Sequence, residues 1–236
     1  MVRKGPSVVH PFGTDALGRD VLSRVIYGTR ISLEIGVVST LIGAALGGAV
    51  GLTAGFSGGI VDAVIMRFVD VMMAFPGVLL AMAIIAARGR GVTNLLIAIG
   101  IGSIPSYARL VRGQVLTVRE RPYIEASLAA GAGPLRLMGR HILPNIVSPV
   151  MVLATIGIGF SLLAGSSLSF IGLGAQPPSP EWGAMLSDGR SFLNDAWWIA
   201  TFPGLAIFFT VVAINVTGQW LRERFDPKRT ARLQGG

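Results

Sequence analysis

The chain has 236 residues, 52% hydrophobic and only 14% charged, with 32 glycines, no cysteine and a formal net charge of +8; its mean hydropathy is +0.66. An average soluble domain is roughly 25% charged, so this composition points to an integral membrane protein, and the missing cysteine excludes disulfides, thiol catalysis and cysteine metal sites. The basic excess fits cytoplasmic loops, where Lys and Arg gather, and no basic soluble segment with interleaved aromatics is present to bind nucleic acid.

The N-terminal stretch MVRKGPSVVHPFGTDALGRD carries basic residues with no apolar run behind them, so it is not a signal peptide. A helical span needs about 20 mostly apolar residues. Five stretches qualify: 31–56, 64–87, 92–111, 146–170 and 200–221. In the first, Gly43, Gly47, Gly51 and Gly55 recur every four residues and Ser39 continues the series, a small-residue face that lets another helix approach closely. Glu34 lies near the outer end of this span, one turn from Arg30. In the second, Arg67 and Asp70 share a helix face and are placed to pair. Pro76-Gly77 and Pro105 mark kinks. No span carries an acidic residue near mid-membrane, where a proton- or sodium-coupled carrier would often need one.

Between the third and fourth spans, residues 112–145 include YIEASLAAGAGPLRLMGRHILPN. Pro122 suits the first turn of a helix, and Glu125 then meets the positive end of its macrodipole. Gly131 and Gly133 end that helix, Pro134 starts a second short one through about His141, and Pro144 closes the unit. The alanine-rich face of the first short helix is small enough to seat in a groove of a partner protein. After the fourth span, residues 171–199 form a Pro- and Trp-bearing loop in which 181–188 reads as a short amphipathic turn at the outer surface. Trp182, Trp197 and Trp198 read as belt residues at the membrane boundary.

Orientation follows from the basic residues. Six lie from Arg109 to His141 (Arg109, Arg112, Arg119, Arg121, Arg136, Arg140), one in the loop from Gly172 to Trp198 (Arg190) and five after Leu221 (Arg222, Arg224, Lys228, Arg229, Arg232). This places the 112–145 loop and the 223–236 tail in the cytoplasm and the 171–199 loop outside. Five spans then put residues 1–30 outside, although they hold five basic residues: Arg3, Lys4, Arg19, Arg24 and Arg30. A further span ahead of this segment would remove the conflict.

The run EASLAAG from Glu125 to Gly131, followed by HILP from His141 to Pro144, resembles the EAA loop of ABC-importer permeases. Ser127 stands where that pattern has a second Ala, and His141 fills a usually hydrophobic slot. HPFGTDALGRDVLSRVIYGTRISL, FIGLGAQPPSPEWGAML and AWWIATFPGLAIF resemble the second permease subunit of dipeptide and oligopeptide importers, over His10 to about Pro227. The resemblance implies an all-α integral membrane protein of type I ABC-importer permease architecture in a prokaryotic cell membrane. Its permease domain would occupy 31–222, and the family's first span would precede the His-Pro-Phe-Gly segment.

The implied partners are a second permease subunit in a heterodimer, two ATP-binding subunits and an extracytoplasmic substrate-binding protein, besides membrane lipid. No cofactor is implied, and ATP hydrolysis belongs to the partners, so the chain is not expected to be an enzyme. Glu125, Ala126, Ser127, Gly131, His141, Leu143 and Pro144 would couple to the ATPase, and Pro177, Pro178, Glu181 and Trp182 are candidates for binding-protein contact. The expected cargo is a di- or oligopeptide; the alternatives are nickel, glutathione or another small solute, and, in a different class, an autonomous channel or secondary carrier.

Overall fold

The computed structural model describes residues 3–224; Lys228, Arg229 and Arg232 of the expected cytoplasmic tail lie outside the described residues. Residues 3–20 form a hook closed by one antiparallel bridge between Thr14 and Asp20. Within it the Asp15 carboxylate accepts the backbone N–H groups of Leu17 and Arg19 at 2.9 Å each. Asp20 then caps α1 (Val21–Ser57), accepting the Ser23 N–H at 2.8 Å. A helix of 37 residues is about 55 Å long, well beyond a hydrocarbon core of about 30 Å. Its first turns, with Arg24 and Arg30, therefore precede the apolar run expected over 31–56.

The stretch expected as a single second span is two helices, α2 (Gly59–Ala74) and α3 (Gly77–Arg88), bent by 89°. Pro76 is the cause: the residue before a proline is pushed out of the helical region, and Phe75 sits extended at φ −94°, ψ 133°. With 16 and 12 residues, neither half alone spans; at 1.5 Å per residue they reach only about 24 and 18 Å. α4 (Val92–Arg119) runs through Pro105 and continues two turns past the expected end at 111. α5 (Pro122–Ala129) follows, and then a one-turn helix, α6 (Pro134–Arg136), passes through a π-helical stretch, Leu137–Ile142, straight into α7 (Leu143–Phe170). Pro144 therefore does not close the surface unit. The preceding turn is wide, with the Leu143 N–H reaching back to the Met138 carbonyl, and this makes room for a residue that has no N–H to give. The set is completed by α8 (Trp182–Gly189), a single 3₁₀ turn over Arg190–Phe192, and α9 (Trp198–Arg224).

Among the described residues four helices are long and apolar enough to cross a membrane, and the bent pair α2–α3 makes a fifth crossing if taken as one span. α1 packs most extensively on α4, α7 lies against both, α9 packs on α7, and α3 packs on α4. The buried face of α1 toward α4 is Gly43, Gly47, Gly51 and Gly55. A side chain at Gly47 would meet the Ile104 carbonyl and Tyr107, and one at Gly51 would meet the Ala108 backbone. Backbones can approach this closely only where Cβ is absent.

Gly48 is adjacent on the same helix, but a side chain there meets nothing within 4 Å. Gly51→Val is expected to destabilise the protein by about 1–3 kcal/mol through overpacking. Gly48→Val, with the same change in helix propensity, should leave the melting temperature nearly unchanged. Equal melting temperatures for the two variants in detergent would show that the close α1–α4 approach does not set stability.

Candidate functional site

α5 lies across one end of the bundle. Pro122 occupies its first turn and no side chain caps it. Ile124 anchors it, 1% exposed, among Val111, Val115 and Val118 of α4 and Leu137, Ile142 and Ile146. With that side chain turned inward, Glu125 and Ala126 are exposed on the outer face. Tyr123, Leu128 and Leu135 are large, apolar and exposed around the same turn. The helix ends where Gly131 takes φ +82°, a left-handed conformation that strains any residue with a Cβ. The Ala132 N–H returns to the Ser127 carbonyl at 3.0 Å.

The two departures from the EAA pattern touch each other. Ser127 Oγ lies 3.3 Å from His141 Nε2, across the turn between α5 and the π-helical stretch. Where the resembled pattern has an Ala and a hydrophobic residue, this chain has a polar contact. Leu143 and Pro144 are exposed at the junction with α7, where the Asn145 side-chain amide donates to the His141 carbonyl at 2.6 Å.

Arginines of α4 hold the helices beside this loop. Arg112 grips Asp62 of α2 with both arms of its fork, Nε–Oδ1 at 2.6 Å and Nη2–Oδ2 at 2.7 Å. Arg109 donates to Asp70 at 2.7 Å, so Asp70 pairs across helices and not with Arg67 on its own helix. Arg119 donates to the Gly55 and Phe56 carbonyls at 2.8 and 2.9 Å, satisfying the end of α1. Arg30 and Glu34 form no ion pair among the described residues. The sequence reading assigned Arg109, Arg112 and Arg119 to topology alone. Their spacing of three and seven residues, facing carboxylates eight apart at Asp62 and Asp70, was the available signal for these contacts.

At the other end, α8 lies inside the bundle and not on its surface. Glu181 is 0% exposed and Trp182 2%. Glu181 caps α8, accepting the N–H groups of Gly183 and Ala184 at 2.8 Å each. The Trp182 N–H donates to Ser32 Oγ at 3.2 Å and its indole N–H to the Val25 carbonyl at 2.9 Å, both on α1. The expected surface turn is thus an interior plug. Gly28, Gly183 and Gly189 let it lie against backbone of the helices around it. Pro177 and Pro178 remain exposed. Of the expected belt residues only Trp197 is exposed; Trp198 donates to the Thr14 carbonyl at 3.1 Å and holds the N-terminal hook. Phe12 stacks on Phe202 at 3.8 Å beside it.

A multi-span bundle with a punctuated helix at one end and a buried return helix at the other has the layout of an ABC-importer permease. Solved structures share it: a chain of the MetNI methionine ABC transporter in an inward-facing conformation superposes with TM-score 0.68 at 20% identity, covering 86% of this chain and 97% of that one. An amino acid ABC transporter superposes with TM-score 0.65 at 15% identity, covering 86% of this chain and 95% of that one. The family described as binding-protein-dependent transport system inner membrane component matches residues 47–231. The glutathione transport system permease protein GsiD of Escherichia coli O6:K15:H31 (strain 536 / UPEC) is 51% identical over 227 residues, 96% of this chain and 75% of that protein. GsiD of Shigella boydii serotype 4 (strain Sb227) gives the same figures, 51% over 227 residues. The chain belongs to this family: it is a multi-pass bacterial inner-membrane permease of an ABC importer, of the peptide/nickel type.

Two outcomes follow from the geometry. Removing the hydroxyl in Ser127→Ala should loosen the turn after α5 by about 0.5–1.5 kcal/mol, read as faster amide exchange over residues 122–130. In a double-mutant cycle with His141→Leu the losses should be less than additive; strictly additive losses would show that the 3.3 Å contact carries no energy. At the other end, burial raises the Glu181 carboxyl above its ordinary value, outweighing the hydrogen bonds from Gly183 and Ala184 that pull it down. A folded-state value above the unfolded one means that ionisation opposes docking of α8. That contribution to stability is full below the ordinary carboxylate range and is lost as pH rises through the raised value. Amide exchange of α8 should therefore accelerate with pH beyond its intrinsic rise, and Glu181→Gln should flatten the excess. An unchanged profile in that variant would place the dependence elsewhere.

Proposed function

We propose that this permease moves a small peptide into the cell, driven by ATP hydrolysis in partner subunits that seat α5. The arrangement of α5 carries the reading. Ile124 fixes the helix to the ends of α4 and α7, Glu125 and Ala126 face outward, and a fringe of exposed apolar side chains surrounds them. A short surface helix of this kind suits a groove in a soluble partner. Any push on it crosses the short turn over 130–133 into α6, which continues through the π-helical stretch into α7 without a break. The coupling residues are Glu125, Ala126, Ser127, Gly131, His141, Leu143 and Pro144, with Ile124 added by the geometry. Gly43, Gly47, Gly51 and Gly55 serve helix packing.

In this reading the α5 end faces the cytoplasm and the α8 end faces out, following the distribution of arginines. The partners are a second permease subunit, two ATP-binding subunits and an external binding protein, for which exposed Pro177 and Pro178 offer contact in the conformation seen. The cargo is a di- or oligopeptide; glutathione, itself a tripeptide, is the first to test because GsiD carries it in its name.

Glu125→Lys, which reverses charge at the outward face, and Gly131→Asp, which strains the turn, are expected to reduce glutathione or dipeptide uptake at least tenfold while the protein stays in the membrane. That size is what the loss of about 1.4 kcal/mol of coupling gives. Wild-type uptake in both variants would remove α5 from the coupling path. A reporter fused after Gly236 should be active only on the cytoplasmic side, and activity only on the outer side would reverse the proposed orientation.

A further inference from the structure

Five of the arginines at the α5 end fall into two groups. On the α1–α2 side Arg109 and Arg112 are paired with carboxylates and Arg119 with helix-end carbonyls. On the α7–α9 side Arg121 and Arg222 line a groove of about 620 Å³, and neither has a carboxylate within ion-pair distance among the described residues. Gln114 of α4 and Asn145 and Ser148 of α7 line the same groove. Its volume falls in the range of small-ligand sites, which run from about 300 to 1,000 Å³.

We infer that this groove is an oxyanion site, taking a carboxylate or a phosphate between Arg121 and Arg222. Two guanidinium groups with no counter-charge among the described residues, one from the turn before α5 and one from α9, with amide and hydroxyl groups lining the same groove, form a donor set with a surplus of positive charge. Guanidinium forks match carboxylate and phosphate oxygens two at a time. Such an anion also offsets the cost of holding two cations at the membrane boundary. Two sources carry this chemistry: the carboxylates of a peptide leaving at this end, and the phosphate of an anionic lipid in the adjoining leaflet. The peptide source rests on the function proposed above; the anion chemistry does not.

The test uses the full chain purified from membranes with its co-purifying subunits. In one arm, vesicles of three parts phosphatidylcholine to one part phosphatidylglycerol supply the lipid, and retained phosphatidylglycerol is counted by native mass spectrometry. In the other, binding of glutathione is compared with that of its diethyl ester, whose carboxylates are blocked. Arg121→Gln with Arg222→Gln is expected to weaken at least one probe about tenfold or more, the loss of a hydrogen bond to a charged group. Gln114→Leu removes the hydrogen-bonding amide from the groove without changing charge and should weaken the same probe, which guards against a misfolded double variant. Arg136→Gln with Arg140→Gln removes equal charge from exposed positions outside the groove and should weaken neither.

Loss of phosphatidylglycerol alone establishes the site with lipid as its occupant. Loss of glutathione, with the ester binding weakly throughout, establishes it with peptide as occupant. If neither probe responds to the groove variants, or the Arg136/Arg140 control loses as much, the inference is overturned. Wild-type protein that retains phosphatidylglycerol but binds no glutathione counts against the proposed cargo while leaving the groove intact.

Discussion

Inside a bilayer an apolar side chain gains little by leaving lipid for protein, so helices hold together through close packing and the few polar contacts that closeness allows. In this permease the condition is met along α1 and α4, where Gly43, Gly47 and Gly51 bring one backbone against the other. The rest of the bundle takes its position from that contact. α4, once seated, carries Arg109 and Arg112 to the carboxylates of α2 and Arg119 to the end of α1. The same helix supplies Val111, Val115 and Val118, the apolar floor on which Ile124 anchors the surface helix. Toward the other end α1 supplies Ser32 and the Val25 carbonyl that hold Trp182. The two ends of the molecule are thus built on the same pair of helices.

Much of this could be read from the sequence, for local reasons. The glycine repeat and the five apolar runs are periodic signals, and the prolines and glycines between Pro122 and Pro144 punctuate the chain wherever it lies. What escaped depends on partners far along the chain. Asp62 and Arg112 are fifty residues apart, and Asp70 looked satisfied by Arg67 because only neighbours on one helix were in view. Glu181 and Trp182 looked like a surface turn because an amphipathic octapeptide does not say what will cover its apolar side, and here α1, α7 and α9 all do. The π-helical stretch has no composition of its own: it is the backbone's accommodation of Pro144 within a helix that must continue.

The two ends differ in how deeply they bury their short helix. Around α5 the large apolar residues Tyr123, Leu128 and Leu135 face outward, as is usual where another protein is to bind. At the opposite end Trp182 and Met185 are drawn into the chain's own core, while Ile171, Leu193 and Trp197 beside them stay exposed.

The wide turn at Leu137–Ile142 gives α7 a property that a uniform helix lacks. A π turn stores one surplus residue. If the turn tightens to ordinary α geometry, the surplus must go elsewhere, and everything beyond it swivels by about 100° around the helix axis, the angle that one residue subtends. The hydrogen-bonded ladder would stay whole during that swivel, and Pro144, with no N–H to exchange, marks one boundary of the slipping segment. From Pro134 to Phe170 the chain is therefore less a stiff pushrod than a shaft with a clutch. Such a slip would turn a different stripe of α7 toward its neighbours while the surface loop stays in place.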